Sequence, residues 1–270
     1  MQGLLQAIYP HQCPGCRVLV QNHLHLCPEC WREAHFIAGC ACPKCGGQML
    51  GDHNDANILC EDCLNNPRPW ISGRAVFSYN AKARSMILAL KRHDRHDLIA
   101  PFAHWMLRRG ADIFPPSPVL IPIPLHWQRQ WRRRFNQSAL IAQKMAQMAG
   151  LECCLDGLKK CRRTPELKDH TAEERRKLLH ASMAINPARS GCVAGRAVVL
   201  VDDVFTSGAT FSEAARVCLD AGAKTVSVIA LARAARRDLC SIAPRYGARG
   251  EERKKLLYSV WIIYRPVNDR

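Results

Sequence analysis

Four C-x-x-C pairs crowd the first quarter of the chain: Cys13/Cys16, Cys27/Cys30, Cys42/Cys45 and Cys60/Cys63, separated by 10, 11 and 14 residues. A segment this short, with few periodic apolar runs, cannot fold on a core of its own. Two thiolates two residues apart can curl around one ion while the amides of the turn stabilise the sulfur charge, and a second pair closes a tetrahedral four-sulfur site. A site closed in this way is structural, and its binding energy is folding energy. Soft thiolates in a tetrahedron suit zinc, with an iron–sulfur cluster as the competing occupant. Pairing first with second and third with fourth gives two consecutive ribbons; interleaving gives a cross-brace. The gaps of 10 and 14 residues are natural hairpin lengths and favour the ribbons. Cys40 lacks ligand spacing and reads as a bystander.

Composition decides the setting. The start of the chain has neither a basic stretch nor a long apolar core, so a secretory signal is not expected. No apolar run approaches the ~18 residues of a spanning helix, so no membrane span is expected either. A cytoplasmic, reducing location follows, in which clustered cysteines bind metal rather than form disulfides. The 270 residues carry 39 Lys and Arg against 23 Asp and Glu, a net charge of +16. Two zinc ions on eight thiolates would leave about +12. Such a charge favours polyanionic partners.

The chain divides into a Cys-rich ribbon region, residues 1–66, a Pro-rich linker, 67–70, and a domain over 71–233. A basic tail, 234–270, holds nine basic and four acidic residues. Val119–Leu125, Val198–Val201 and Thr225–Leu231 read as strands. Gln137–Gly150 and Phe211–Ala221 have helical spacing, each with a glycine stop at or next to its end. Strand, loop, helix and strand make a βαβ unit, so the domain is expected to be α/β with a parallel sheet. Its core is expected to be separate from the ribbons.

The strongest chemical signal is Val198-Val-Leu-Val-Asp-Asp-Val-Phe-Thr-Ser-Gly-Ala-Thr210. A buried strand delivers Asp202 and Asp203 to its carboxyl end, where ligands bind in open α/β sheets. Thr206, Ser207, Gly208, Ala209 and Thr210 then lead into a helix, and their amides and hydroxyls can cradle a phosphate. Carboxylates beside a phosphate site make sense if they hold the hydroxyls of an attached ribose. The spacing therefore reads as ribose 5-phosphate recognition. An N-capped helix after an ordinary strand is the plainer reading, but adjacent buried acids are costly without a partner.

This segment resembles the 5-phosphoribosyl-1-pyrophosphate (PRPP) signature of type I phosphoribosyltransferases. The four Cys pairs, the Pro-rich linker, Leu90-Lys91, Ile121-Pro-Ile-Pro124, Arg134-Phe-Asn-Gln137, a basic segment from Thr164 to Arg176 and the Asp-Asp loop resemble, in that order, the ComF/GntX family over about residues 10–233. The resemblance implies a double zinc ribbon joined to a type I phosphoribosyltransferase fold, a parallel sheet flanked by helices. It also implies a link to natural competence and the use of external DNA, with competence proteins as partners. Arg134 stands where the family carries Gly, and Leu167 and Leu178 replace its Gln and Asn. These changes leave the ribose-phosphate segment whole and fall on the flexible catalytic segment.

The resemblance also places a pyrophosphate loop at Ile121, Pro122, Ile123 and Pro124, with Mg²⁺ accompanying the diphosphate. Downstream, Trp127, Trp131 and Phe135 interleave with Arg129, Arg132, Arg133 and Arg134. The arginines suit diphosphate by charge and geometry. The same composition suits single-stranded DNA, with bases on rings and phosphates on guanidinium groups; Trp127, Trp131, Arg129 and Arg132 are the candidates. A basic helix start whose aromatic rings belong to the core is the plainer reading.

Overall fold

The structure, a computed structural model, describes residues 10–49, 58–125, 135–161 and 182–234. Two short helices accompany the cysteine pairs, α1 (Pro28–Ala34) and α2 (Glu61–Asn65). The rest alternates strands with helices: β1 (Ser72–Ser78), α3 (Ala81–Arg92), α4 (Ile99–Gly110), β2 (Val119–Pro122), α5 (Gln137–Ala149) and β3 (Glu152–Cys153). A small antiparallel pair follows, β4 (Leu158–Lys160) with β5 (Met183–Ile185). Then come β6 (Ala197–Phe205), α6 (Ala209–Asp220) and β7 (Thr225–Arg233). Five strands form one parallel sheet in the order β1-β7-β6-β2-β3. This is the parallel sheet flanked by helices that the sequence implies.

The continuous apolar runs of β6 and β7 are explained by two covered faces. Val199, Val201, Ile229 and Leu231 join a cluster with Met86 of α3, Phe102 and Trp105 of α4 and Ile141 of α5. Their neighbours Val198, Leu200, Val228 and Ala230 join Phe211, Ala214 and Cys218 of α6 on the opposite face. β6 runs four residues past the expected end at Val201, because β7 keeps pairing with it: Asp202 opposes Ala230, and Phe205 opposes Arg233. α5 begins and ends as its sequence predicts. Asn136 caps it by accepting from the Ser138 amide at 3.1 Å, and Gly150 closes it at φ 64°.

The ribbons do not have a core of their own, and the sheet domain's core is not separate from them, contrary to expectation. Cys13, Cys27 and Cys30 pack into the cluster with Phe77, Met86 and Trp105, whereas Cys42, Cys45 and Cys63 pack with Trp70 and Phe205 on the other face. Too short to enclose apolar surface, each ribbon borrows the sheet domain's surface instead. The approach is close enough to need glycine: a Cβ on Gly46, at φ 66°, would sit 2.5 Å from the Ala75 amide nitrogen. Main-chain bonds cross the junction from Ile37 N to Val76 O (2.8 Å), Gly73 N to Pro43 O (2.8 Å) and Ser78 N to His35 O (3.1 Å).

Candidate functional site

The eight thiols gather into two groups, Cys13, Cys16, Cys27, Cys30 and Cys42, Cys45, Cys60, Cys63, the sulfurs of each within 4.8 Å of one another. This is the sequential pairing. Cys16 and Cys27 sulfurs stand 3.5 Å apart and those of Cys45 and Cys60 3.6 Å. A tetrahedron with zinc–sulfur bonds of about 2.3 Å has edges of about 3.8 Å, so the groups fit zinc. Backbone amides already point at the sulfurs: Cys27 N donates to Cys13 Sγ at 3.2 Å and Cys60 N to Cys42 Sγ at 3.4 Å. Burial pushes the Cys13 thiol up, but the amides of Cys27, Cys16 and Gly15 outweigh it and lower it to about 7. Cys42 is held far below the ordinary thiol range by hydrogen bonds from Cys45, Cys60 and Cys63. In their chemistry both groups are zinc-binding sites of four cysteines, and Cys40 belongs to neither.

At the end of the sheet, β6 presents the acidic pair. Ser138, buried at the start of α5, donates its hydroxyl to Asp202 Oδ1 at 2.8 Å, and the Asp203 amide donates to the same oxygen at 2.8 Å. Asn136 fixes that helix start against β2 by donating Nδ2 to Ile123 O at 3.0 Å. The Lys91 ammonium, from the last turn of α3, pairs with Asp203 Oδ2. Desolvation first, and then the charge of Asp203, push the Asp202 carboxyl up to about 7. Three elements thus converge on two carboxylates. Lys91 stands in the Leu90-Lys91 dipeptide that belongs to the family resemblance, but no spacing rule links it or Ser138 to the acids.

Thr206, Ser207 and Gly208 turn the chain from β6 into α6, which starts at Ala209. Gly208 is required here: its φ is 79°, and a Cβ would meet the Phe205 ring at 2.6 Å. Among the described residues, the amides of Thr206, Ser207 and Gly208 find no acceptor, while the Ala209 amide reaches Ser207 Oγ at 3.4 Å. Orphan amides at a strand-to-helix turn are groups that an anion can satisfy.

On the pyrophosphate side, Ile121 and Ile123 are buried, so they can offer a ligand main-chain atoms alone. Ile123 already spends both of its own, donating to Val201 O at 2.9 Å and accepting from Asn136. Pro122 ends β2 buried, and Pro124 is half-buried. Trp127, Arg129, Trp131, Arg132, Arg133 and Arg134 lie outside the described residues, as do Leu167, Leu178 and the tail after Ala234.

A family model described as "Double zinc ribbon domain" matches residues 4–64. The chain is 31% identical over 231 residues to the DNA utilization protein YhgH of Escherichia coli O157:H7, covering 83% of this chain and 97% of that protein. Its identity to competence protein F of Haemophilus influenzae is also 31%, over 236 residues, with 83% and 97% covered. The chain belongs to the ComF family of competence and DNA-utilisation proteins. Among solved structures, this ComF-family chain is similar to the glutamine PRPP amidotransferase from B. subtilis complexed with ADP and GMP. That match has 23% identity and a TM-score of 0.34, over 50% of this chain and 26% of that one. Among the described residues, no helix is long and apolar enough to cross a membrane.

Proposed function

We propose that the sheet domain binds PRPP or a related ribose phosphate, and that this site serves the competence and DNA-utilisation role of the family. The observation that carries the reading is the placement of two carboxylates just before a loop that opens a helix and whose amides have no acceptor among the described residues. Asp202 and Asp203 accept from the ribose 2′ and 3′ hydroxyls. The amides and hydroxyls of Thr206–Thr210 hold the 5′-phosphate. Ser138 and Lys91 orient the two carboxylates. The side chains of Arg132–Arg134 take the diphosphate beside the strand end at Ile121–Pro124, whose own main chain has no N–H left to offer it.

As a phosphoribosyltransferase, the protein would let a nucleophile on the acceptor form a bond to C1′ while the C1′–oxygen bond to pyrophosphate breaks. Pyrophosphate leaves with that electron pair, and the acceptor's proton goes to solvent. The described anionic groups at the strand end are Asp202 and Asp203, already engaged with Ser138, a backbone amide and Lys91. Mg²⁺ therefore belongs with the incoming diphosphate, whose charge it neutralises.

The net charge of +16 favours a second reading, in which the chain binds single-stranded DNA without turnover or senses PRPP while doing so. A thermal-shift titration with PRPP and ribose 5-phosphate tests the site, and a nucleobase and metabolite panel scored for PRPP consumption tests the chemistry. Stabilisation that disappears in the Asp202→Asn, Asp203→Asn double variant supports the reading; an unchanged shift in that variant rejects it.

A further inference from the structure

The Thr206–Gly208 amides, without an acceptor among the described residues, have a counterpart on their far side. Arg68 Nη1 donates to Ser207 O at 3.0 Å. Arg233 Nη1 donates to Phe205 O at 3.2 Å and to Thr206 O, and its guanidinium stacks on the Phe205 ring at 4.4 Å. A trans peptide points its C=O and the next N–H in opposite directions. Guanidinium groups that hold the carbonyls of Phe205, Thr206 and Ser207 therefore turn the amides of Thr206, Ser207 and Gly208 the other way, where a phosphate would lie.

Both arginines are fixed by one acid. Asp62 Oδ2 accepts from Arg68 Nη2 at 2.6 Å and from Arg233 Nη2 at 3.3 Å. The Arg68 side chain is 6% exposed, that of Arg233 10% and that of Asp62 17%. Asp62 itself lies between Cys60 and Cys63, two ligands of the second four-cysteine group, on the helix that group anchors. Two cations thus share one anion beneath the loop.

We infer that Asp62, Arg68 and Arg233 are positioning residues for the 5′-phosphate, and that through them the second zinc ribbon sets the affinity of the sheet domain's ligand site. None of the three touches the ligand; each acts through the loop. The inference rests on the ribose-phosphate reading above and goes beyond it by giving the ribbon a role in binding.

The test is calorimetric titration of the full chain with ribose 5-phosphate, alongside zinc content and amide spectra of the loop. In the wild type, ribose 5-phosphate should bind and shift the Ser207 and Gly208 amide signals. Asp62→Asn should keep two zinc ions per chain yet bind about tenfold more weakly, the weight of one charge-assisted hydrogen bond. Asp62→Glu should restore much of the affinity, and Glu61→Gln, on the same helix but outside the brace, should change nothing. Should Asp62→Asn not fold, Arg68→Gln carries the test, since it removes the Ser207 contact and leaves Asp62 and Arg233 paired. Wild-type affinity in a folded brace variant overturns this inference alone. Absence of ribose 5-phosphate binding in the wild type overturns the ribose-phosphate reading, and this inference with it.

Discussion

Lys44 and Trp70 exchange hydrogen bonds: the indole Nε1 donates to the Lys44 carbonyl at 2.6 Å, and the Lys44 ammonium donates to the Trp70 carbonyl at 2.8 Å. Lys44 lies inside the Cys42/Cys45 knuckle, and Trp70 enters the sheet domain's core against Phe205 and Phe211. A metal knuckle and a domain core are thereby clasped at both ends of one contact.

Chelation should therefore lower the melting temperature of the whole chain, in place of the separate melting that a detached ribbon would give. Trp70→Phe keeps an aromatic ring in the core but loses the indole N–H and part of the buried volume, and should cost about 1–3 kcal/mol. Circular dichroism melts with and without chelator check both, because most helical signal comes from the sheet domain. A sheet domain that melts unchanged after zinc removal would contradict the shared core.

Metal analysis should find two zinc ions per chain and no iron–sulfur absorbance. Cys42→Ser should release one ion and leave the other, since its group shares no thiol with the first. Cys40→Ser should release none.

Asp202 carries a pH signature. Its folded pKa is raised to about 7, against about 3.9 in an unfolded chain. The folded state thus keeps a proton that the unfolded state surrenders, so this group's contribution to stability falls as pH rises from about 4 to about 7 and is level above. Asp203, Lys91 and Ser138 face it. Asp202→Asn can keep the bonds to Ser138 and the Asp203 amide without the charge. Urea denaturation should show the variant gaining on the wild type by about 1–2 kcal/mol between about pH 5.5 and 8. That window stays clear of acid release of zinc.

Single-stranded DNA binding should weaken steeply with salt. Arg132→Gln with Arg133→Gln should flatten the salt slope. Trp127→Ala should lower affinity by about 1–3 kcal/mol with the slope little changed, as loss of one stacked base does. Fluorescence titrations at several salt concentrations read both, and adding PRPP should displace DNA if the two share Arg132 and Arg133. No binding near physiological salt removes DNA as a direct ligand.

Features that depend on local spacing are legible in the sequence. The C-x-x-C pairs announce two closed sites because ligand geometry repeats at short range. The apolar run of β6 and the small hydroxylated turn after it mark a strand-to-helix site for the same reason. The brace is not legible: Asp62 and Arg233 are 171 positions apart, and each alone reads as a surface charge. Trp70 reads as the end of a linker, because nothing near it shows that Lys44 completes its hydrogen bonds. The end of β6 is hidden because two adjacent acids suggest a loop, whereas β7 continues the ladder with Ala230 opposite Asp202 and Ala232 opposite Val204.

The hydrogen bonds that join the ribbons to β1 run along an open edge of the sheet. β1 is the outermost strand at its end of the sheet, and such a rim of unpaired amides and carbonyls invites another chain to add a strand. The first ribbon pairs Phe36 with Phe77 along that rim, and the Cys42/Cys45 knuckle lies over Gly73 and Ala75. The ribbons cover that edge, so a chain stripped of zinc is expected to aggregate along β1 before its sheet comes apart.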